Sequence, residues 1–375
     1  MAQLLDDAGV AARILGHIEA GTTDESDEVW REPIANYRSA ARLAREIEVL
    51  RRVPVPFCPS AALPEPGSYV ARQAAGRPLL VVRGLDGVVR AFHNVCRHRG
   101  MELATGAGCA KAFVCRYHGW TYGADGTLRH VPHEHGFPGL ARATRGLVPL
   151  HAREHGGVVF VSQADEPPDA ARIDALPELV GEEQRLFASR ELLVPANWKI
   201  FLEGFLEGYH IKSAHPETFF PFGFDNLNLV EPFGPNSRVT FPFQRIRALA
   251  GQPPEQRRVA GALTYVTSLF PNAVLVVLSH HSILVVLEPL SVSETRAHTY
   301  ALSNRPAAEP GSAEAAARDA EFVNGTGGAE DYAIACAIQR GIDSPANDVF
   351  SFGRFEGALA HFHRALDAAL AEAAG

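Results

Sequence analysis

Cys96-Arg97-His98 is followed, after sixteen intervening residues, by Cys115-Arg116-Tyr117-His118. Each short motif holds one thiol and one imidazole, so two similar loops closing on each other would offer two thiolates and two imidazoles. That is the ligand set of a [2Fe–2S] cluster with Cys₂ on one iron and His₂ on the other. A tetrahedral Cys₂His₂ zinc site uses the same residue types. Zinc-finger ligands, however, come as a cysteine pair and then a histidine pair, whereas each loop here carries one of each, and the spacing favours iron–sulfur. Gly119-Trp120 closes the second loop with a glycine and an aromatic.

A second constellation lies in Glu207-Gly208-Tyr209-His210-Ile211-Lys212-Ser213-Ala214-His215, with two histidines five apart and a carboxylate three residues before the first. Two histidines and one carboxylate form the facial triad of non-haem Fe(II) oxygenases, which leaves the opposite face of the metal open for O₂ and substrate. His210 and His215 are the expected histidine ligands. Asp331 is the expected third ligand, from its place at the start of a helical pattern over 329–338 that leads into Gln339-Arg340-Gly341. Glu330 and Asp343 are the alternatives, since a carboxylate at a helix N-terminus also serves as a dipole partner. A helix over 198–209 would put Glu203, Glu207 and His210 on one face. His215 would then lie about 140° around the axis from His210, so the helix must end or loosen before it, and Pro216 is consistent with that stop.

With both motifs in hand, the chain resembles the large (α) subunit of Rieske non-haem iron oxygenases, the aromatic-ring-hydroxylating oxygenases, from about residue 45 to the C-terminus. The resemblance rests on Cys96-x-His98, Cys115-x-x-His118, Asn197-Trp198-Lys199 leading to Glu207-x-x-His210-x₄-His215, and Glu330-Asp331 leading to Gln339-Arg340-Gly341. It implies an α+β chain, in which an all-β Rieske domain is joined to a helix-grip catalytic domain built on an antiparallel sheet. One [2Fe–2S] cluster and one Fe(II) per subunit are implied as cofactors. The implied activity is that of a terminal oxygenase. It would use O₂ and electrons from a separate NAD(P)H-dependent reductase or ferredoxin to hydroxylate or oxidatively dealkylate a small, largely apolar aromatic or amine substrate. Two positions depart from the family pattern: Gly204 stands where Asn often follows Glu203, and Glu207 where many members carry Asp. By resemblance, Glu207 would bridge His210 to the partner subunit's His118 as an electron path, which calls for a head-to-tail ring, most simply a homotrimer. A third-ligand or solvent-facing role for Glu207 is the alternative. A different class of function would be an electron carrier, a Rieske ferredoxin fused to a ligand-binding helix-grip domain that holds no iron.

Composition narrows the partners. A net charge of −8 gives no basic footprint, which argues against nucleic acid. No run reaches the ~20 apolar residues of a membrane span, and the start lacks a signal-peptide pattern, so a cytoplasmic protein is expected. Arg97, Arg99 and Arg116 would either form a docking patch or bond backbone around the cluster. Cys58, Cys109 and Cys336 read as buried or partly buried free thiols.

The elements that must position these residues fall into three stretches. Residues 1–52 read as helices packing on the catalytic domain, especially over 27–50. Residues 53–164 carry short β runs such as Leu79-Leu80-Val81-Val82, punctuated by glycines, and form the cluster domain. Residues 165–375 form the mononuclear iron domain, with strands at 275–278, 283–287 and 297–301. His280 and His281 fall in the turn between two of these strands and are set aside as ligands. In the final helix, over 356–373, Leu359, Phe362, Leu366 and Leu370 make the buried stripe, with His361 and His363 at its surface or flank. The phenylalanines at 219, 220, 222, 224, 233, 241 and 243 are too dense to be all core, and some should line an apolar pocket.

Overall fold

The structure, a computed structural model, describes residues 4–306 and 309–373. The chain forms two compact units, one from residues 50–182 and one from residues up to 49 together with those from 183 onward.

The 50–182 unit is built on β-structure. Seven antiparallel strands pair in the order Val55–Pro59, Val158–Ser162, Pro149–His155, Val89–His93, Arg77–Arg83, Ser68–Ala74 and Gly106–Cys109. Three short strands, Ala112–Val114, Thr121–Gly123 and Leu128–His130, make a second sheet. The continuous apolar runs Leu79–Val82 and Val158–Val161 are fully buried, as strands covered on both faces must be. Phe92, Phe113, Trp120, Tyr122 and Leu128 share one core cluster with Cys96 and Cys115. Both cysteine loops join strands, and the core reaches up into them. Residues 165–182, grouped by the sequence reading with the catalytic domain, pack in this unit, where the Leu179 and Val180 N–H groups donate to Gly156 O at 3.0 and 2.9 Å.

The other unit carries a seven-stranded antiparallel sheet in the order Arg185–Val194, Glu294–Ser303, His281–Ser291, Ala273–Val277, Leu263–Leu269, Asn236–Pro242 and Leu229–Phe233. The helix Gly357–Glu372 buries Leu359, Phe362, Leu366 and Leu370, the stripe its 3.6-residue periodicity predicts. The expected single helix over 27–50 is instead interrupted. Trp30–Pro33 is a strand paired with Val349–Phe352, followed by the short helix Ala35–Arg38 and the helix Ala40–Arg52. Pro33 cannot donate within a helix, and extended backbone at Ser39 separates the two helical pieces.

Three polar anchors fix the helix Trp198–Glu203, and they account for residues otherwise unexplained in the sequence. Asn197 Oδ1 caps it by accepting from Lys199 N at 3.0 Å, and Asn197 Nδ2 donates to Tyr37 O and Val292 O, each at 3.0 Å. Lys199, fully buried, sets its Nζ 2.7 and 2.9 Å from the two carboxylate oxygens of Glu46, which also accepts from Trp198 Nε1 at 2.9 Å. Gln339 Oε1 accepts from Asn197 N at 2.7 Å and so ties the helix Gly327–Gly341 to the same point. Among the described residues no helix is long and apolar enough to cross a membrane.

Candidate metal centres

The two cysteine loops are near-copies in backbone. Cys96 N donates to Met101 O and Cys115 N to Trp120 O, both at 2.8 Å, while Gly100 N returns to Cys96 O at 3.0 Å and Gly119 N to Cys115 O at 2.8 Å. Each glycine takes a left-handed conformation, φ +81° at Gly100 and +74° at Gly119, a turn that a side chain would resist. The Cys-to-Gly distance along the chain is thus the same in both loops, and His98 and His118 differ only by one residue in where they ride on it. Both cysteines are buried. The rings of His98 and His118 lie 4.6 Å apart, centroid to centroid. His98 stacks on Trp120 at 5.0 Å with 7° between the planes, and its Nδ1 is buried without a hydrogen bond. Burial pushes the Cys96 thiol up, and burial with the charges of His118 and Arg99 pulls His98 down. Tyr122 OH accepts from Arg97 N at 2.9 Å and lies 3.4 Å from Cys96 Sγ. Two buried sulfurs, an orphaned buried imidazole nitrogen and a neighbouring imidazole match the donor chemistry of a Cys₂His₂ [2Fe–2S] site. His118 is exposed at the loop tip, and Arg99 donates to Tyr117 OH at 2.9 Å beside it.

In the other unit, His210, His215 and Asp331 converge, their candidate ligand atoms all within 4.8 Å of one another. His215 Nε2 lies 2.9 Å and His210 Nε2 3.7 Å from Asp331 Oδ1. Despite the close Asp331 carboxylate, His215 Nε2 makes no hydrogen bond, although His215 is fully buried. Lone pairs that meet at a point without bonding each other are what a cation between them would use. Each histidine's other nitrogen is tied off by a carboxylate, Glu207 Oε1 at His210 Nδ1 and Glu330 Oε2 at His215 Nδ1. Burial lowers both imidazole pKa values, yet the flanking carboxylates outweigh it and leave both above the ordinary histidine value. Glu330, conversely, is held below the usual carboxylate range by its bonds to His215 and Thr218.

The local route to this geometry differs from the expected one. Helix Trp198–Glu203 stops at Glu203 rather than running to 209, with Gly204 at its C-cap and a separate turn of helix, Ile211–Ala214, carrying the chain from His210 to His215. Glu203, Glu207 and His210 therefore do not share a helical face. Glu203 turns away to accept from Tyr37 OH at 2.6 Å and to meet His363 Nε2 at 3.0 Å. His363 is buried, not on the surface, held between Glu203 and Glu32. His281 begins a strand rather than a turn and is buried against Asp319, with Nδ1 2.8 Å from Oδ2. Cys109 is exposed rather than buried, whereas Cys58 and Cys336 are buried.

Two carboxylates near the site were missed by sequence reasoning in their positions. Glu330, an alternative ligand by sequence, bonds His215 Nδ1 instead. Glu356, far away in sequence, comes near because Phe355 packs on Tyr209 at 4.5 Å; burial and the charges of Glu207 and Glu203 push its carboxyl up to about 7. Of the expected aromatics, Phe219 lies 4.8 Å from the His215 ring and against Phe322, and Gly327 leaves room for it, since a Cβ there would come within 2.1 Å of the Phe219 ring.

The fold is that of Rieske oxygenases. The quaternary ammonium Rieske monooxygenase CntA in complex with L-carnitine has the same fold, with a TM-score of 0.76 at 22% identity over 98% of this chain and 99% of that one. Naphthalene 1,2-dioxygenase with indole bound superposes with a TM-score of 0.75 at 20% identity over 93% of each chain. Residues 53–143 match the Rieske [2Fe-2S] domain and residues 181–372 the catalytic domain of the ring hydroxylating alpha subunit. The chain belongs to the ring-hydroxylating α-subunit family, whose cofactors are a Rieske [2Fe–2S] cluster and a mononuclear iron. Among its relatives are the carnitine monooxygenase oxygenase subunit of Acinetobacter pittii, 34% identical over 51% of this chain and 54% of that protein. The glycine betaine monooxygenase oxygenase subunit of Chromohalobacter salexigens is 39% identical over 41% of this chain and 36% of that protein. The chain thus spans about half or less of the curated relatives it matches.

Proposed function

We propose that this chain is the terminal oxygenase of a multicomponent system, oxidising a small substrate at an iron held by His210, His215 and Asp331. The convergence of those three side chains, with both outer imidazole nitrogens already bonded to carboxylates, carries this reading. Cys96, Cys115, His98 and His118 would hold the [2Fe–2S] cluster. When bound, the cluster supplies electrons singly, and the iron keeps open positions for O₂ beside the substrate.

The chain's own residues divide the remaining work. Glu207 accepts from His210 Nδ1 and so fixes which nitrogen faces the metal. Trp120 and Phe137 pack on the His98 ring at 5.0 and 5.7 Å and shield it from water. A head-to-tail homotrimer would set the partner subunit's His118 against Glu207, and the exposure of His118 at its loop tip supports such a contact. A separate reductase or ferredoxin would supply the electrons.

For substrate, quaternary ammonium compounds and amines stand ahead of plain arenes. Phe219, Phe222 and Phe322 form an aromatic group beside His215, a surface that attracts a methylated ammonium through its π faces. The named carnitine and glycine betaine relatives support the same class. The test is O₂ uptake coupled to product mass with a generic reductase, across quaternary ammonium, tertiary amine and small aromatic substrates. Formaldehyde or a hydroxylated product in step with O₂ supports the reading. Reduction of the cluster with no O₂-dependent product from any of them would leave an electron carrier fused to a ligand-binding domain.

A further inference from the structure

Glu330 and Asp331 are adjacent in sequence, yet they address opposite edges of one ring: Asp331 Oδ1 lies 2.9 Å from His215 Nε2, and Glu330 Oε2 lies 2.7 Å from His215 Nδ1. The same Glu330 oxygen accepts from Thr218 Oγ1 at 2.7 Å. Thr218 follows His215 by three residues, and its N–H donates to His215 O at 3.3 Å, so the His215–Thr218 turn closes on itself around the carboxylate. His215 is fully buried, and its Nε2 makes no hydrogen bond.

We propose that Glu330 is a positioning residue for the metal centre, and that together with Thr218 it forms a latch which aligns His215 before metal arrives. This rests on the assignment of His210, His215 and Asp331 as the metal site. The physical case has two parts. A carboxylate on Nδ1 keeps the proton there and leaves the Nε2 lone pair free, and it makes the imidazole a stronger donor. The latch also crosses between segments 115 residues apart, because His215 and Glu330 come from different elements. It thereby joins the turn bearing two ligands to the helix bearing the third, Gly327–Gly341. The two outer carboxylates then have separate duties. Glu207 orients His210, whereas Glu330 orients His215 and accepts from Thr218 as well.

The test measures Fe(II) and Co(II) affinity by chelator competition in cluster-loaded protein, together with the visible spectrum of the Co(II) form. Glu330→Ala is expected to weaken metal binding about 10–100-fold. Glu330→Gln keeps the shape and loses the charge, so it should fall between wild type and alanine and shift the Co(II) bands. Thr218→Val, which preserves volume, should weaken binding by a smaller factor. A purely structural role would leave the affinity and the Co(II) spectrum of Glu330→Gln at wild-type values, and that result overturns the proposal. If Glu330→Ala does not fold, Glu330→Gln and Thr218→Val decide the matter by the same readouts. His215→Ala is the control: loss of metal there with unchanged affinity in the Glu330 variants sinks this inference alone, whereas retention of metal in His215→Ala removes the site assignment itself.

Discussion

Replacing Glu46 by Gln removes the negative charge facing the buried Lys199 ammonium and changes little else in shape. Lys199 Nζ has two carboxylate contacts, at 2.7 and 2.9 Å, and both side chains are about 1% exposed, so solvent cannot substitute for the lost charge. Breaking a buried pair by removing one partner costs about 3–5 kcal/mol, because the remaining charge stays desolvated. Arg42, 3.1 Å from the same carboxylate, loses a partner as well. In a unit of this size about 2–4 °C accompanies each kcal/mol, which puts the expected fall in Tm at roughly 6–20 °C. The pH dependence has a definite sign. Burial holds Lys199 below the ordinary lysine value, more strongly than Glu46 raises it. In the alkaline window between its folded and unfolded pKa the unfolded chain binds more protons, so this residue's contribution to stability rises with pH. Without the Glu46 charge Lys199 is depressed further still, so the Glu46→Gln deficit should shrink just below that window, where the variant sheds its Lys199 proton and the wild type still holds it. Thermal melts followed by circular dichroism and by cluster absorbance, from neutral to alkaline pH, provide the measurement. A Glu46→Gln protein melting within about 2 °C of wild type at neutral pH would refute the argument. The double variant Glu46→Leu/Lys199→Met sharpens it, since an apolar pair should recover most of the loss.

His215→Ala should abolish mononuclear iron and all oxygenation while the absorption and EPR spectra of the cluster stay unchanged; wild-type product formation would mean that the triad has been misplaced. Glu207→Gln removes one charge-assisted hydrogen bond, worth about 1.5–3 kcal/mol, from His210 Nδ1. Iron should still bind and the cluster should still reduce, but single-turnover transfer between them should slow by orders of magnitude; a loss of iron with no change in transfer rate per loaded site would make Glu207 a ligand. Mixed oligomers of His118→Ala and Glu207→Gln chains should regain part of the activity, and none in verified mixtures would place the transfer within one chain. Tyr122→Phe removes the hydroxyl 3.4 Å from Cys96 Sγ, and the loss of one hydrogen bond of about 1 kcal/mol should lower the cluster potential by on the order of 40 mV, read by redox titration.

The chemistry of this protein is written locally. Cys96, His98, Cys115 and His118 sit in two loops whose repeated Cys-to-Gly spacing closes each turn with its own backbone bonds, so the candidate ligands and their order are legible from a few residues. His210 and His215 were legible for the same reason, being five residues apart on one short turn. The buried stripe of the final helix followed from periodicity alone. What depended on distant neighbours was not legible. Asp331 is the expected third ligand from its place in the chain, but the bond that holds the helix Gly327–Gly341 in register, from Asn197 N to Gln339 142 residues away, left no local signal. Helical spacing puts Glu203 on one face with Glu207 and His210. The helix ends beneath it, and Tyr37 and His363, brought in from both ends of the chain, take its carboxylate instead. Spacing along a chain records which donors are available, but which of them meet is decided by desolvation: each buried charge must find a partner, and only the packed fold brings the partner to it.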